Sequence, residues 1–307
     1  MRTVFFGTPQ WAVPSLEALL ESDIEVAAVV TNPDRPAGRG MELRASPVKE
    51  RALQAGLEVL QPQRARAPEL HETLATLAPE FATVVAYGKI LPPSLLAIPR
   101  LGFVNVHFSL LPEYRGAAPV QRAVMDGRDI SGVSIMVLTE GMDEGPVLSR
   151  IEEPVGADDT AGSFGERLAR IGSSALVEAL VAYGDGELEP VEQDHERATY
   201  APKITSEEAA IDWGLGSAAI RNQVRGLNPA PGAWTTLRGK RLKVWEAARS
   251  DAGGLAPGEL YAIRGALIVG TGEGALELMQ IQLQGKRPAT GADAARGLRL
   301  ARGERFE

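Results

Sequence analysis

The chain has 307 residues, of which 44% are hydrophobic and 23% are charged, and its formal net charge is −8. This composition excludes a chain that is disordered as a whole, and no apolar run reaches the roughly 18 residues of a membrane-spanning helix. The absence of cysteine excludes disulfide bonds, thiolate zinc sites and a cysteine nucleophile, and because the N-terminus lacks a secretion signal, we expect a cytoplasmic protein.

Short apolar runs alternate with helical segments through about residue 150. The predicted strands cover 4–6, 26–30, 81–86, 103–107 and 132–138, and the predicted helices cover 14–20, 47–55, 119–125 and 160–183. Ser46 and Pro47 supply an N-cap and a first helical residue for the second helix. This order predicts an α/β fold: a Rossmann-like domain over 1–189 with a mostly parallel sheet. The first turn, 7–10, lacks two glycines of a dinucleotide fingerprint, so NAD is not implied.

The remaining residues predict a linker and a second domain. Residues 190–206 are polar and irregular, which is typical of a linker. A helix capped by Ser217 follows, and then five short strands at 233–237, 241–247, 259–263, 266–269 and 275–283. The apolar phase flips between Leu278 and Met279, which predicts a β-bulge. We therefore expect 207–307 to form a small C-terminal β-barrel of the OB (oligonucleotide-binding) type.

Only one of the three histidines lies where chemistry is expected. His71 falls in a polar helical stretch and His195 in the linker, so both are predicted to face solvent. His107 ends an apolar strand, and Asn105 projects from the same face about 6.5–7 Å away. Ligands bind at the carboxyl ends of parallel strands, where an amide and an imidazole can stabilise an oxyanion. The alternative is a structural histidine that only terminates the strand.

Two segments after His107 favour the catalytic interpretation. The turn at 108–112 offers backbone groups that can hydrogen-bond a planar heterocycle and leucines that can cover it. The loop at 139–145 contains two glycines, which let Asp143 approach His107. A carboxylate beside an imidazole stabilises the imidazolium.

These motifs resemble those of enzymes that use 10-formyltetrahydrofolate. The motifs are Asn105-Val106-His107, then Ser109-Leu110-Leu111-Pro112, then Asp143. Over nearly the whole chain the sequence is similar to the methionyl-tRNA formyltransferase family, through the stretches 6–9, 32–40, 85–88, 115–121, 200–204, 211–213 and 227–229. Two positions, Phe108 and Tyr114, depart mildly from the family pattern.

The resemblance implies a reaction and its residues. It assigns Asn105, His107 and Asp143 as catalytic, and the turn Ser109, Leu110, Leu111 and Pro112 as the contact for the folate. The formyl donor is then 10-formyltetrahydrofolate, a co-substrate, and the acceptor is initiator methionyl-tRNA in translation initiation. No metal is implied, and the sequence indicates no membrane partner and no obligatory protein partner.

The tRNA contacts implied by the resemblance are basic. The loop at 32–45 exceeds the usual 2–6 residues between a strand and a helix, and it carries Arg35, Arg39 and Arg44. In the family this loop reaches the acceptor end of the tRNA, and Arg39 occupies the matching position. Arginine suits phosphates and base edges. On charge alone, a solvated surface loop remains the alternative.

The second half of the chain is more basic than the first. Residues 1–205 carry 18 Lys and Arg against 29 Asp and Glu, whereas 206–307 carry 14 against 11. Within the C-terminal domain we expect Lys240, Arg241 and Lys243 to contact tRNA phosphates, the alternative being a solvated charged face. Three tryptophans are predicted to lie in the barrel core and not to stack on bases: Trp213, Trp234 and Trp245.

Other activities stay open at the level of sequence. A related enzyme would transfer formyl to a sugar-nucleotide amine or a glycinamide ribotide, or hydrolyse the donor, and it should lack the basic barrel and the arginine loop. A folate- or RNA-binding protein without turnover is possible on the same fold. The presence of Asn105, His107 and Asp143 together argues against such a binding protein, because a protein that only binds does not need a proton-transfer pair.

Overall fold

The computed structural model describes residues 1–37, 42–263 and 265–307. The chain divides into two compact units. The first comprises Met1–Pro119, Ile130–Pro154 and Gly165–Ala201, and the second comprises Val120–Asp129, Val155–Phe164 and Pro202–Glu307. The domain boundaries at 189 and 207 remain a prediction. Most of the segment predicted as a linker, however, packs with the first unit.

The bounds of the elements are as follows. Through residue 184 they are β1 (Arg2–Gly7), α1 (Val13–Leu20), β2 (Glu25–Val30), β3 (Arg35–Ala37), β4 (Glu42–Arg44), α2 (Pro47–Gln54), β5 (Val59–Leu60), α3 (Pro68–Leu77), β6 (Phe81–Val85), α4 (Pro93–Leu96), β7 (Phe103–His107), α5 (Pro119–Met125), β8 (Ile130–Val137), β9 (Val147–Pro154) and α6 (Ala161–Gly184). Beyond it they are α7 (Ser217–Gly226), β10 (Ala233–Leu237), β11 (Lys240–Ser250), β12 (Leu260–Ile263), β13 (Ala266–Gly270), β14 (Ala275–Leu283), β15 (Ala289–Thr290) and α8 (Gly291–Leu298).

The first unit is built on a seven-stranded sheet in the order β5-β2-β1-β6-β7-β8-β9. The first five strands in this order run parallel, while β8 and β9 are antiparallel additions at one edge. The predicted mostly parallel sheet is therefore confirmed. Strand β9 was not predicted, because most of its residues alternate between partly buried and exposed positions at the sheet edge and include Glu152 and Glu153.

The two predicted helix caps have different outcomes. Ser46 caps α2 as predicted, and its Oγ accepts a hydrogen bond of 3.1 Å from the Lys49 backbone N–H. For α7 the prediction was wrong, because Gly216 is the N-cap and Ser217 is the first helical residue. The Ser217 N–H instead donates to the carbonyl of Glu273, so a backbone group satisfies this donor and no side-chain cap is needed.

The second unit holds an antiparallel sheet in the order β10-β11-β14-β13-β12, with β15 paired to β14. This antiparallel β domain was predicted. Within the described residues, the end strands β10 and β12 do not pair with each other. The predicted bulge is confirmed: Leu278 pairs with Ala247 and Gln280 with Glu246, so Met279 has no partner on β11. Across the described ranges we find no helix that is both long and apolar enough to span a membrane.

Candidate active site

Strand β7 places Asn105 and His107 on one face at the carboxyl end of the sheet. It lies between β6 and β8, where Asn105 pairs with Met136 and His107 with Ser134. All five residues of β7 are buried, because both neighbouring strands cover its edges. Only 8% of Asn105 and 6% of His107 is exposed, so a charge that forms here is poorly screened by water.

Both ring nitrogens of His107 face oxygen acceptors. Nε2 lies 3.0 Å from the Tyr114 carbonyl oxygen, and Nδ1 lies 3.7 Å from Oδ2 of Asp143. A carbonyl can only accept, so Nε2 must carry the hydrogen of that bond. Nδ1 faces the Asp143 carboxylate at a distance slightly beyond a hydrogen bond.

Asp143 lies in the loop between β8 and β9, and the structure brings it to His107. Its backbone is left-handed, with φ of 50°, which is unusual for a residue other than glycine. Its Oδ2 also accepts a hydrogen bond of 2.8 Å from the Gly116 N–H. Gly145 closes the loop against the sheet, since a Cβ there would lie 2.0 Å from the Val137 carbonyl oxygen. The glycine thus permits close backbone packing.

Asn105 is the second polar side chain at the end of β7. Among the described residues, its side chain makes no hydrogen bond, although nine-tenths of the residue is buried. A substrate oxygen placed beside His107 would supply a hydrogen-bond partner.

The turn Ser109, Leu110, Leu111 and Pro112 is separated from His107 only by Phe108, and its backbone is hydrogen-bonded to neighbouring residues. All four carbonyl oxygens of the turn accept hydrogen bonds, from Ser134 Oγ, the Glu113 N–H, Arg150 Nε and the Thr199 N–H respectively. Leu111 is buried against Met136 and Val147. Leu110 and Pro112 keep partial exposure, so their side chains are available to a ligand.

The described ends of the predicted arginine loop form a two-stranded hairpin. Arg35 on β3 and Arg44 on β4 are direct cross-strand partners, and both are exposed. Arg39 lies outside the described residues. Like charges directly opposite each other in a strand pair are destabilising.

A polar cluster holds the base of this hairpin. Lys49 Nζ donates to Asp34 at 2.7 Å, and Gln61 Nε2 donates to the other carboxylate oxygen of Asp34 at 2.8 Å. The Lys49 hydrogen bond is the main cause that holds the pKa of Asp34 below its usual value. Burial lowers the pKa of nearby Lys89, and the charge of Arg35 lowers it further.

In the second unit, two predicted tRNA contacts lie on tryptophan rings. The Arg241 guanidinium lies 3.7 Å from the centre of the Trp234 ring. Lys243 Nζ lies 5.0 Å from the Trp245 ring and donates to the Pro231 carbonyl at 2.6 Å. Lys240 is exposed at the end of the β10–β11 pair.

The tryptophan prediction is confirmed for Trp213, which is buried in the core of the second unit and stacks on Phe306. Trp234 and Trp245 are only partly buried. Trp234 packs against the core of the second unit from its edge.

The predictions for His71 and His195 have different outcomes. His71 is half-buried, with Nδ1 at 3.0 Å from the Ala67 carbonyl and Nε2 at 3.1 Å from Ser94 Oγ, so the prediction of a solvated ring was wrong. His195 is exposed as predicted.

The predicted linker contributes two residues to the site that sequence reasoning missed, Gln193 and Thr199. No periodicity or motif in that polar segment signals them.

Comparison with known proteins agrees with this geometry. Residues 1–180 match the formyl transferase family and residues 203–299 match the formyl transferase C-terminal domain. The methionyl-tRNA formyltransferase of Streptomyces griseus is 51% identical over 306 residues, which cover 99% of both chains.

Two solved structures share the fold. The methionyl-tRNA formyltransferase of Clostridium thermocellum matches with a TM-score of 0.61 at 16% identity, over 82% of this chain and 95% of that one. HypX of Aquifex aeolicus, in complex with tetrahydrofolic acid, matches with a TM-score of 0.69 at 18% identity, over 99% of this chain and 48% of that one. Because it is 51% identical to the Streptomyces enzyme over 99% of both chains, the chain belongs to the methionyl-tRNA formyltransferase family.

Proposed function

We propose that the protein transfers the formyl group of 10-formyltetrahydrofolate to the α-amine of methionine on initiator methionyl-tRNA. The product, N-formylmethionyl-tRNA, serves translation initiation in the cytoplasm. One observation carries this proposal: the Asn105 amide, which makes no hydrogen bond with any described residue, lies on the same strand face as a His107 that faces Asp143.

The reaction develops negative charge on the formyl oxygen. The neutral amine attacks the formyl carbon, a C–N bond forms, and the electron pair of the C=O bond moves to oxygen. The Asn105 amide and the Nδ1–H of the His107 imidazolium donate hydrogen bonds to that oxygen, each contributing about 3–4 kcal/mol where water is excluded. Nε2–H stays on the Tyr114 carbonyl, whereas Nδ1 lies 3.7 Å from Asp143, beyond hydrogen-bond distance, and can turn to the substrate. The intermediate then breaks its bond to N10 of the folate.

Asp143 completes the proton balance. The attacking nitrogen becomes positively charged and must lose a proton, while N10 must gain one as it leaves. Asp143 stabilises the charge on His107 and takes part in moving this proton. General acid–base assistance of this kind contributes about 10²–10⁴-fold to the rate.

The donor is bound beside the turn that follows His107. We assign Ser109, Leu110, Leu111 and Pro112 to folate contact, with Leu110 and Pro112 providing the accessible apolar surface. Because only Phe108 separates His107 from this turn, a folate bound here holds its formyl group near the end of β7.

The acceptor is bound by basic side chains. We assign Arg35, Arg39 and Arg44 to the acceptor end of the tRNA, and Lys240, Arg241 and Lys243 to its phosphates. The direct pairing of Arg35 with Arg44 supports an anionic partner, because a phosphate between the two guanidinium groups would relieve their repulsion.

Formyl-labelled donor tests the proposal. The purified protein is incubated with labelled 10-formyltetrahydrofolate and, separately, with methionyl-tRNA, a sugar-nucleotide amine, glycinamide ribotide or water alone. We expect label on methionyl-tRNA, and little on the other acceptors. Release of free formate, or labelling of another amine in preference to methionyl-tRNA, would contradict the proposal.

A further inference from the structure

A buried glutamine spans the loop that carries Asp143. Gln193 is 4% exposed, and its Nε2 donates to the Asp143 carbonyl at 2.9 Å and to the Gly145 carbonyl at 2.7 Å. Both hydrogens of the amide are used in these two bonds. Gln193 therefore fixes the main chain of the loop on either side of Glu144.

The orientation of this amide is set by a buried arginine. Arg115 is 2% exposed, and its Nε and Nη2 donate to Gln193 Oε1 at 3.2 and 2.7 Å. A guanidinium can only donate, so it selects the oxygen of the amide. The Gln193 NH₂ group consequently points toward the loop and cannot exchange places with the oxygen without losing all four hydrogen bonds.

Asp143 needs such support because of its backbone. Asp143 has a left-handed backbone, which is unfavourable for a residue with a side chain and is maintained only where several surrounding contacts hold it in place. The carbonyl of Asp143 is held by Gln193, and its carboxylate is held by the Gly116 N–H. These two bonds fix the residue at its main chain and at its side chain.

The same support reaches His107. The Tyr114 carbonyl that accepts from His107 belongs to the stretch that continues into Arg115 and Gly116. This stretch is anchored to Thr199, whose Oγ1 accepts from the Tyr114 N–H at 2.8 Å and whose carbonyl accepts from the Arg115 N–H at 2.9 Å. Gln193 and Thr199 belong to one segment of the chain. Gln193 holds the loop of Asp143, and Thr199 holds the stretch whose Tyr114 carbonyl binds His107, so this segment positions both members of the catalytic pair.

We infer that Gln193 is a positioning residue, which with Arg115 behind it holds the Asp143 carboxylate at His107. The inference rests on the proposed function, because it concerns the same reaction. Gln193 touches neither substrate nor the reacting atoms, and it acts through Asp143 alone.

Two variants of Gln193 test this role. Gln193→Leu removes every hydrogen bond of the side chain, whereas Gln193→Glu keeps the size and the acceptor for Arg115 but loses both donors to the loop. We expect both variants to lower kcat about 10- to 100-fold, since a small misplacement of a catalytic group has effects of this size. KM for methionyl-tRNA and for the formyl donor should stay within about twofold.

The neighbouring exposed residue provides the control. Glu192→Gln changes the same segment without touching the loop and should retain the wild-type kcat. Wild-type kcat in Gln193→Glu would overturn the inference, because it would show that only the contact with Arg115 matters. A rise in KM with unchanged kcat would overturn it as well.

A double-mutant cycle with Asp143→Asn separates positioning from general stability. If Gln193 acts through Asp143, Gln193→Leu should lower kcat by less than about threefold in the Asp143→Asn background. If the losses multiply instead, the role is independent of Asp143 and the inference fails. Gln193→Glu is put through the same cycle, so the test stands even if the leucine variant does not fold.

The proposed function and the role of Gln193 are refuted by different results. A wild-type protein that does not formylate methionyl-tRNA would refute the function. Multiplying losses in an active enzyme would refute only the role of Gln193.

Discussion

The end of β7 and the β3–β4 hairpin lie in the same compact unit but differ in the burial and pairing of their ionisable side chains. At the end of β7, His107 is buried between Tyr114 and Asp143, and its partners are fixed within the protein. At the hairpin, Arg35 and Arg44 are exposed, opposite each other, and form no salt bridge with any described residue. We infer that the first arrangement is suited to charge that forms during a reaction, and that the second is suited to an anionic partner.

The comparison predicts different kinetic signatures. Changes at the end of β7 should lower the rate of the chemical step with little effect on binding. Changes at the hairpin should weaken tRNA binding in a salt-dependent manner, because exposed charges are screened by ions and buried ones are not.

The largest effect is expected for His107→Ala. The variant loses both an oxyanion donor and the proton-transfer partner of Asp143, so kcat should fall by at least about 10³-fold. Binding of the folate donor, followed by equilibrium titration, should be nearly unchanged. A wild-type turnover rate, with circular dichroism showing a folded variant, would remove His107 from the mechanism.

A smaller effect is expected at the hairpin. Arg44→Ala and Arg35→Ala should each raise KM for methionyl-tRNA severalfold and reduce the slope of log K against log salt by about 1. KM for the folate donor should not change. Arg100→Ala is the matched control, because Arg100 is an exposed arginine of the same unit. Equal salt slopes for Arg44→Ala and the control would show that the hairpin does not contact the tRNA.

The smallest effect concerns the base of the hairpin and its dependence on pH. The hydrogen bond from Lys49 lowers the pKa of Asp34 in the folded protein, so the ionised carboxylate stabilises the fold. This contribution is present above the unfolded pKa of about 3.9 and is lost as pH falls through the lower folded pKa.

Denaturant unfolding of Asp34→Asn and the wild type measures this contribution. The difference in free energy of unfolding should be full near neutral pH and shrink as the pH falls below about 4. A difference that does not change with pH would show that the carboxylate charge is not what stabilises the hairpin base.

The sequence predicted the elements whose pattern is local. Strand β7 and helix α5 have the predicted bounds, because a β-branched and aromatic run defines the strand and a proline at the first helical position defines the start of the helix. The alternation of side chains along a strand placed Asn105 and His107 on one face. The loop glycines correctly indicated that Asp143 can approach His107, although the left-handed backbone belongs to Asp143 itself.

The rest of the site depends on contacts between distant residues. Gln193 lies fifty positions from Asp143 and has no periodic or motif context in a polar segment. Its role depends on burial, which local composition does not reveal. Strand β9 was missed for a related reason, since an edge strand with polar residues is stabilised by its pairing with β8 and not by its own pattern.

Asn105 offers the most direct test of the central claim, since its amide has no hydrogen-bond partner among the described residues. The measurement is the single-turnover rate of formyl transfer by Asn105→Ala, together with the free energy of unfolding. The account predicts a rate about 10²–10³-fold below wild type, with unchanged stability and unchanged affinity for the folate donor. A rate within a few-fold of wild type would contradict the claim that the end of β7 stabilises the oxyanion.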